Sequence, residues 1–207
     1  MDTIHGISTL RDPPQVTARD GSRTMLLVIA AWTLLIGMSF AIDRHRHLDD
    51  AQTYARLVAS AYIDKDLAVR RWITGHGGVY VPPTERTPPN PYLDVPERDI
   101  ATDRGKPLTL MNPAYATRQL MEDFSAQHGI QGHLTARRLQ NPHNAPDEWE
   151  TAALKQLENG ETQVSEVVDR DGVAVLRQMR PVYMEAGCMK CHADMRIPLG
   201  GLRGGIS

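Results

Sequence analysis

The sequence predicts an α+β fold behind a single apolar helix near the N-terminus. Three observations support this: an uncharged apolar run at residues 25–42, helical periodicity from residue 48, and short β-rich segments separated by turns in the C-terminal half. Helices outside a small antiparallel sheet define the α+β class. With 41% hydrophobic and 23% charged residues, the 207-residue chain can form a core. Its net charge of −2, without a Lys/Arg cluster, argues against nucleic acid as a partner.

The apolar run reads MLLVIAAWTLLIGMSFAI and carries no formal charge. As a helix rising about 1.5 Å per residue, it is close to the hydrocarbon thickness of a bilayer. We therefore predict a short tail at 1–24, a retained transmembrane anchor at 25–42 and one domain at 43–207. A cleaved signal peptide fits less well, because the segment before the run is long. Arginines are equally frequent on the two sides, so their count leaves the orientation open.

The first element of the domain is a long helix that continues from the anchor and ends at Gly75. Its apolar positions recur at three-four spacing: Leu48, Ala51, Ala55, Val58, Tyr62, Val69 and Trp72. Such a helix either packs on the sheet of its own domain or pairs with a second copy of the chain in a homodimer. Six prolines between Pro82 and Pro96 then predict an irregular loop.

Two strands and a helix are expected in the middle of the chain. Leu108–Met111 is a short strand, and Asn112 with Pro113 starts a helix that runs to about Phe124. Residues 131–139 read as a strand, and the prolines and asparagines at 141–146 form a turn cluster.

The sequence of the last third of the domain predicts a helix followed by three strands. Asp147 caps a helix that ends at Glu158, before Asn159-Gly160. Residues 164–168 and 173–182 flank Asp-Arg-Asp-Gly in a hairpin, and residues 202–207 form a final strand.

The only two cysteines form the motif Cys188-Met-Lys-Cys191-His192, the C-x-x-C-H signature of covalent c-type haem attachment. Two thiols on one helical turn can form thioethers with both vinyl groups of a porphyrin, and the adjacent imidazole then ligates the iron. A zinc site would need more ligands, and a thioredoxin-like dithiol would need a βαβ context. We therefore predict one covalent haem c. Because this attachment takes place outside the cytoplasm, the domain is expected in the periplasm on a single-pass inner-membrane anchor.

Several stretches resemble a periplasmic haem-binding sensor family that was long catalogued as a domain of unknown function. They are WITGHGGVYV at 72–81, TPPNPYL at 87–93, LTLMNPAY at 108–115, NPHNAPDEW at 141–149, CMKCHA at 188–193 and RGGIS at 203–207. This resemblance implies covalent haem and a PAS-like antiparallel sheet with flanking helices. Members often precede histidine kinases and diguanylate cyclases. Longer relatives continue into a second membrane helix and an output domain, so the resemblance implies a separate partner protein here.

The second iron ligand has three candidates and one alternative. His76 is favoured, because Gly75 and Gly77-Gly78 allow the backbone to approach a flat ligand closely. Met111 and His133 follow, and an open or water-occupied position would favour gas binding over electron transfer. Some relatives use a cysteine thiolate, which is excluded here because both cysteines form thioethers.

Candidate partners for the haem propionates are Arg70-Arg71, Arg137-Arg138 and Trp149, while Asn141 and His143 have an equally plausible turn-capping role. The sequence lacks a nucleophile with a base, a phosphate loop and paired carboxylates, so we do not expect an enzyme. We expect a redox or diatomic-ligand sensor that acts through a partner. The alternatives are a single-haem electron-transfer subunit of a membrane complex and a structural subunit in which haem completes the core.

Overall fold

The computed structural model describes residues 18–207, with side chains from residue 21 onward except that of Ala193. The chain divides into two units, one ending at Ala51 and the other comprising Gln52–Ser207. Residues 1–17 of the expected tail lie outside the described residues, and helix α1 begins within the rest of that tail.

Helix α1 spans Ala18–Gly75 and contains the whole apolar run. All side chains from residue 21 to residue 51 are exposed, although many of them are large and apolar. By length and composition, this helix can cross a membrane. The first unit is therefore compatible with the predicted single-pass anchor.

The part of α1 that belongs to the second unit packs on its own domain. Ile63 and Leu67 join a core cluster with four residues from other elements, Met121, Leu134, Val182 and Ile206. The predicted apolar stripe is displaced from this buried face, since Trp72 is 60% exposed and Ile73 is buried. Hydrophobicity alone misplaces the face because the polar residues Asp66, Arg70 and Thr74 occupy part of it.

A three-stranded antiparallel sheet follows α1. It consists of β1 (Val79–Val81), β2 (Asp99–Ala101) and β3 (Pro107–Met111), in the order β1-β3-β2. The proline-rich segment between β1 and β2 has no helix or strand, as the sequence predicts. β3 is also confirmed, but β1 and β2 were not predicted. Each has three residues and pairs only with β3, so neither has a periodic pattern of its own.

Helices α2 (Pro113–His128) and α3 (Glu148–Glu158) have the caps that the sequence predicts. Asn112 accepts a hydrogen bond from the Tyr115 backbone N–H at 2.9 Å, at the start of α2. Asp147 and Glu150 form a reciprocal capping box at the start of α3. The bounds of α3 match the prediction, whereas α2 continues four residues past Phe124, to His128.

The second antiparallel sheet has four strands in the order β4-β7-β6-β5. They are β4 (Leu134–Thr135), β5 (Val164–Arg170), β6 (Val173–Tyr183) and β7 (Leu202–Ile206). The hairpin and the final strand are confirmed, and so is the α+β class with antiparallel sheets. The strand expected at residues 131–139 is reduced to two residues. After Thr135, whose hydroxyl donates to the Asn144 carbonyl at 3.0 Å, the chain leaves the sheet for a 3-10 turn at Pro142–Asn144.

Candidate functional site

The C-x-x-C-H motif forms one compact helical turn, as predicted. A 3-10 turn at Ala186–Cys188 runs directly into the short helix α4 (Met189–His192). Both cysteines are free thiols, so they do not form a disulfide with each other. Cys188 is buried, and its sulfur accepts a hydrogen bond from the Glu185 N–H at 3.4 Å. Burial raises the pKa of the half-buried Cys191 thiol.

This turn lies directly against the end of α1. A Cβ atom on Gly187 would lie 2.7 Å from the carbonyl oxygen of Thr74 and 2.8 Å from its methyl group. A Cβ atom on Gly77 would lie 3.9 Å from Nζ of Lys190. The glycine before the motif thus lets its backbone approach the helix more closely than any other residue would allow.

His192 is a half-buried histidine with an unpaired ring nitrogen. Its Nδ1 is buried and has no hydrogen-bond partner. Burial, reinforced by the positive charges of Arg203 and Arg70, lowers the pKa of His192 to about 4. The imidazole is therefore neutral at pH 7, which is the protonation state in which histidine ligates a metal.

His192 lines a cavity of about 70 Å³ that contains an unusual concentration of arginine. Four arginines line it, Arg70, Arg118, Arg138 and Arg203, and no Asp or Glu is among its described lining residues. Besides His192 Nδ1, three buried polar atoms of this cavity lack partners: Arg118 Nε, Arg203 Nε and Asn144 Oδ1. Buried polar groups are rarely left unpaired. The two arginine Nε atoms lack an acceptor, which an acidic group could provide, whereas Asn144 Oδ1 lacks a donor. We call this space the His192 cavity.

The donor set of the His192 cavity fits a c-type haem. Its arginines can pair with two propionates, and the neutral imidazole of His192 can ligate iron. The two thiols that would hold the porphyrin lie on the turn that ends at His192, although neither cysteine lines the cavity. The cavity is nevertheless smaller than the ~300–1,000 Å³ of sites that enclose an organic ligand. A macrocycle would thus have to separate the lining segments. One of them is tied to the motif by Gln140, which donates to the Cys191 carbonyl at 3.1 Å.

Only some of the proposed propionate partners line the His192 cavity. Arg70 and Arg138 line the His192 cavity, as does Asn141, which also caps the adjacent 3-10 turn through the His143 N–H. Among the others, Arg137 pairs with Glu158 at 3.0 Å, and the Trp149 indole donates to Glu166 at 2.8 Å. Neither of these two, nor Arg71 or His143, lines the cavity.

Sequence reasoning missed two of the four arginines. Arg203 belongs to the terminal Arg-Gly-Gly-Ile-Ser stretch, whose position on β7 could have been linked to the site. No sequence signal distinguishes Arg118, which lies on α2.

None of the candidates for the second iron ligand lines the His192 cavity. His76 is exposed, stacks on Trp72 with ring centroids 4.4 Å apart, and has Nδ1 at 2.7 Å from the Trp72 carbonyl. Met111 is buried at the end of β3, and His133 donates from Nδ1 to Glu150 at 2.9 Å. Within residues 21–207, His192 is the one His or Met that lines this cavity. Ligation by His76 stays a prediction.

Comparison with known proteins identifies the family. No curated protein sequence matches the chain. Among solved structures, the crystal structure of the cyanobacterial haem protein Tll0287 is 15% identical, with a TM-score of 0.48 over 75% of this chain and 92% of that chain. The model of the Tll0287-like family matches residues 46–198, which include the C-x-x-C-H motif. The chain therefore belongs to the Tll0287-like family.

Proposed function

We propose that this chain is a membrane-anchored haem-binding protein that carries one covalent haem c in the His192 cavity. The observation that carries this proposal is the C-x-x-C-H turn, whose neutral imidazole lines a cavity with four arginines. The chain belongs to the Tll0287-like family, and the cyanobacterial protein Tll0287 is described as a haem protein, which supports the proposal. When bound, haem supplies an iron that can change redox state or take a diatomic ligand.

Each element of the site has a distinct role in this proposal. The Cys188 and Cys191 thiols would hold the porphyrin covalently through two thioethers. The low pKa of His192 keeps its imidazole neutral, so that one ring nitrogen has a lone pair that could ligate the iron. The four guanidiniums would offer charge-assisted hydrogen bonds to the propionates, whose two carboxylates would neutralise part of their positive charge.

The favoured activity is sensing of a redox change or a diatomic ligand, relayed to a separate signalling protein. It is supported by the lining of the His192 cavity, where His192 is the one His or Met among the described residues. Haem iron that no second side chain holds firmly would be able to take a diatomic ligand. The competing function is electron transfer within a membrane complex, which requires a firmly held second ligand such as His76.

The location follows from the attachment chemistry. Covalent haem attachment occurs outside the cytoplasm, so we place the domain in the periplasm and the anchor, residues 25–42, in the inner membrane. Apolar residues of α1 are exposed in the second unit, including Tyr54 and Leu57, and they could form the contact surface of a homodimer. We assign no enzymatic activity.

Attachment is tested by producing the full chain in a host that matures c-type cytochromes. The wild-type protein should retain haem stain on a denaturing gel, and Cys188→Ala with Cys191→Ala should lose it. The matched control is Ser165→Ala, because Ser165 is a small residue in β5 outside the cavity. Stain retained by the double variant would refute covalent attachment.

The absorption spectrum of the reduced protein, with and without carbon monoxide, separates sensing from electron transfer. A Soret band that shifts with carbon monoxide indicates a free or displaceable position and supports sensing. An unchanged band supports electron transfer. In the same experiment, His76→Ala should alter the ferric low-spin spectrum if His76 is the second ligand, and an unchanged spectrum removes that assignment.

A further inference from the structure

A second and larger cavity lies in the unit Gln52–Ser207, and the proposed haem function does not use it. Its volume is about 1040 Å³, and it shares no described lining residue with the His192 cavity. That volume is at the upper end of the ~300–1,000 Å³ typical of sites for small organic molecules. Helices α1, α2 and α3 and strands β5 and β6 all contribute side chains. We call it the Gln178 cavity.

The core cluster separates the two cavities. Ile63 and Met121 line the Gln178 cavity, whereas Leu134 and Val182 line the His192 cavity. All four residues belong to one cluster of buried hydrophobic side chains. The Gln178 cavity is therefore a separate site behind this cluster.

Aromatic rings form part of the wall of the Gln178 cavity. Tyr62 and Phe124 lie with ring centroids 4.7 Å apart, and Trp149 stacks under the Arg177 guanidinium at 4.4 Å. Further apolar side chains complete the wall: Ile63, Met121, Ile130, Val168, Val175 and Leu176. Such a wall favours a ligand with a flat apolar body.

Gln178, one of the residues that line this cavity, has an unsatisfied hydrogen-bond acceptor. Its side chain is only 4% exposed, and Nε2 donates to the Ser60 hydroxyl at 2.8 Å. Its Oε1 is buried and has no hydrogen-bond partner. A buried carbonyl without a donor costs about 1–3 kcal/mol, so a ligand that brings an N–H group gains from pairing with it.

The charge of the lining favours a cation. Five carboxylates line the cavity, and they belong to Asp66, Asp147, Glu148, Glu150 and Asp169. The cationic or titratable side chains that line it already have partners: Arg177 donates to Asp147 at 2.7 Å, Arg170 to Gln131 at 3.0 Å and His133 to Glu150 at 2.9 Å. Lys65 lies beside this lining, 2.8 Å from the Asp66 carboxylate and 4.7 Å from the centre of the Phe124 ring. The five carboxylates still outnumber the cationic side chains when Lys65 is included, so an anionic ligand would meet net repulsion.

We propose that the Gln178 cavity binds a small organic amine with an aromatic body. The ammonium group donates to Gln178 Oε1 within the field of the surrounding carboxylates. The ring lies against the aromatic and aliphatic wall. This site depends on the packing of the domain and does not require that haem be bound.

The test is isothermal titration of the detergent-solubilised full chain with 2-(2-naphthyl)ethylamine, corrected with empty micelles. Two probes of the same shape serve as matched ligands, neutral 2-ethylnaphthalene and anionic 3-(2-naphthyl)propionate. We expect the amine to bind at least about tenfold more tightly than either, which is the effect of one hydrogen bond from a charged donor. Equal binding of the three probes would overturn the amine class, and no binding of any of them would overturn the site.

Two variants locate the binding. Val175→Trp fills the cavity and should abolish amine binding, whereas Val173→Trp places the same side chain on an exposed position of β6 that does not line it. Gln178→Leu removes the acceptor and should weaken binding about tenfold. If Gln178→Leu unfolds at a clearly lower temperature than the wild type, its binding result is set aside, and the comparison of Val175→Trp with Val173→Trp tests the site. Amine binding that survives Val175→Trp places the ligand elsewhere and refutes the proposal.

The titration repeated on the haem-free double cysteine variant separates this result from that of the haem proposal.

Discussion

At the scale of single residues, His133 and Glu150 form a partly buried ion pair that links α3 to the second sheet. The His133 Nδ1–H donates to Glu150 at 2.9 Å, and the Ser207 hydroxyl donates to the same carboxylate at 2.6 Å. The hydrogen bond to Glu150 raises the pKa of His133 above its usual 6.5. Burial alone would raise the pKa of Glu150, but His133 and Ser207 hold it below its usual 4.5.

The sign of each pKa shift defines a pH window for this pair. The contribution of His133 to stability is full below pH 6.5 and is lost as the pH rises through the raised pKa of the folded state. The contribution of Glu150 is present above pH 4.5 and is lost as the pH falls through its lowered pKa. Between these limits both partners are charged, so the pair stabilises the fold most there.

We predict that His133→Gln lowers the free energy of unfolding by about 1–2 kcal/mol at pH 6. This is below the ~3–5 kcal/mol for breaking a fully buried pair. Two facts reduce the cost: the imidazole is 36% exposed, and Arg177 remains 3.7 Å from Glu150. Urea titrations between pH 5 and 9 measure the effect, with His143→Gln as control because His143 contacts the pair only through its carbonyl oxygen. Superimposable pH profiles of His133→Gln and wild type would contradict the assignment.

Single residues also show why part of the site could be predicted and part could not. The spacing of Cys188, Cys191 and His192 is the one that covalent attachment of haem requires, so the sequence alone identifies these three as candidate site residues. Arg118 reaches the same cavity only because α2 packs beside β4 and β7. That is a tertiary fact without a local signal, so sequence reasoning could not identify it.

At the scale of elements, local chemistry decides which bounds are predictable. The start and end of α3 were predicted because Asp147 caps it and Asn159-Gly160 ends it. The β5–β6 hairpin follows from its Asp-Gly turn. β1, β2 and β4 have two or three residues each, and only their partners in the sheet define them. The strand expected at residues 131–139 was too long for that reason.

The contact between the C-x-x-C-H turn and α1 yields a prediction at this scale. Gly187→Ala places a methyl group 2.7 Å from the Thr74 carbonyl, so either the turn or the helix end must move. We expect a loss of about 1–3 kcal/mol in the free energy of unfolding, as for other overpacked contacts, and a lower yield of covalent haem. Urea unfolding and the stained denaturing gel measure the two effects.

The matched control for this prediction is Gly75→Ala. Gly75 is at the end of the same helix, and a Cβ atom there meets nothing within 4 Å. Alanine is also the better helix former, so this variant should keep or slightly raise stability. If the two alanine variants have the same free energy of unfolding and the same yield of covalent haem, the close approach at Gly187 does not affect stability or attachment.

At the scale of the whole molecule, the proposed haem can be attached only if the proposed anchor holds the domain on the periplasmic side of the membrane. Haem is attached outside the cytoplasm, so only chains whose domain lies in the periplasm can acquire it. Charge near the anchor gives weak guidance, because the arginines on its two sides are equal in number: Arg11, Arg19 and Arg23 before the anchor, and Arg44, Arg46 and Arg56 after it. A small change in this balance should therefore be enough to invert part of the population.

We predict that Asp50→Lys with Gln52→Lys reduces covalent haem without altering the fold. Both positions are exposed and lie within ~15–20 residues of the anchor, where positive charge favours the cytoplasmic side. The control, Gly21→Lys with Ser22→Lys, adds the same number of lysines before the anchor and should preserve attachment. Protease added to spheroplasts should digest the wild-type domain and spare the inverted fraction of the first variant. If the protease does not digest the wild-type domain, the domain lies in the cytoplasm. Covalent attachment would then be impossible, because the haem-attachment machinery and the two cysteines would be on opposite sides of the bilayer.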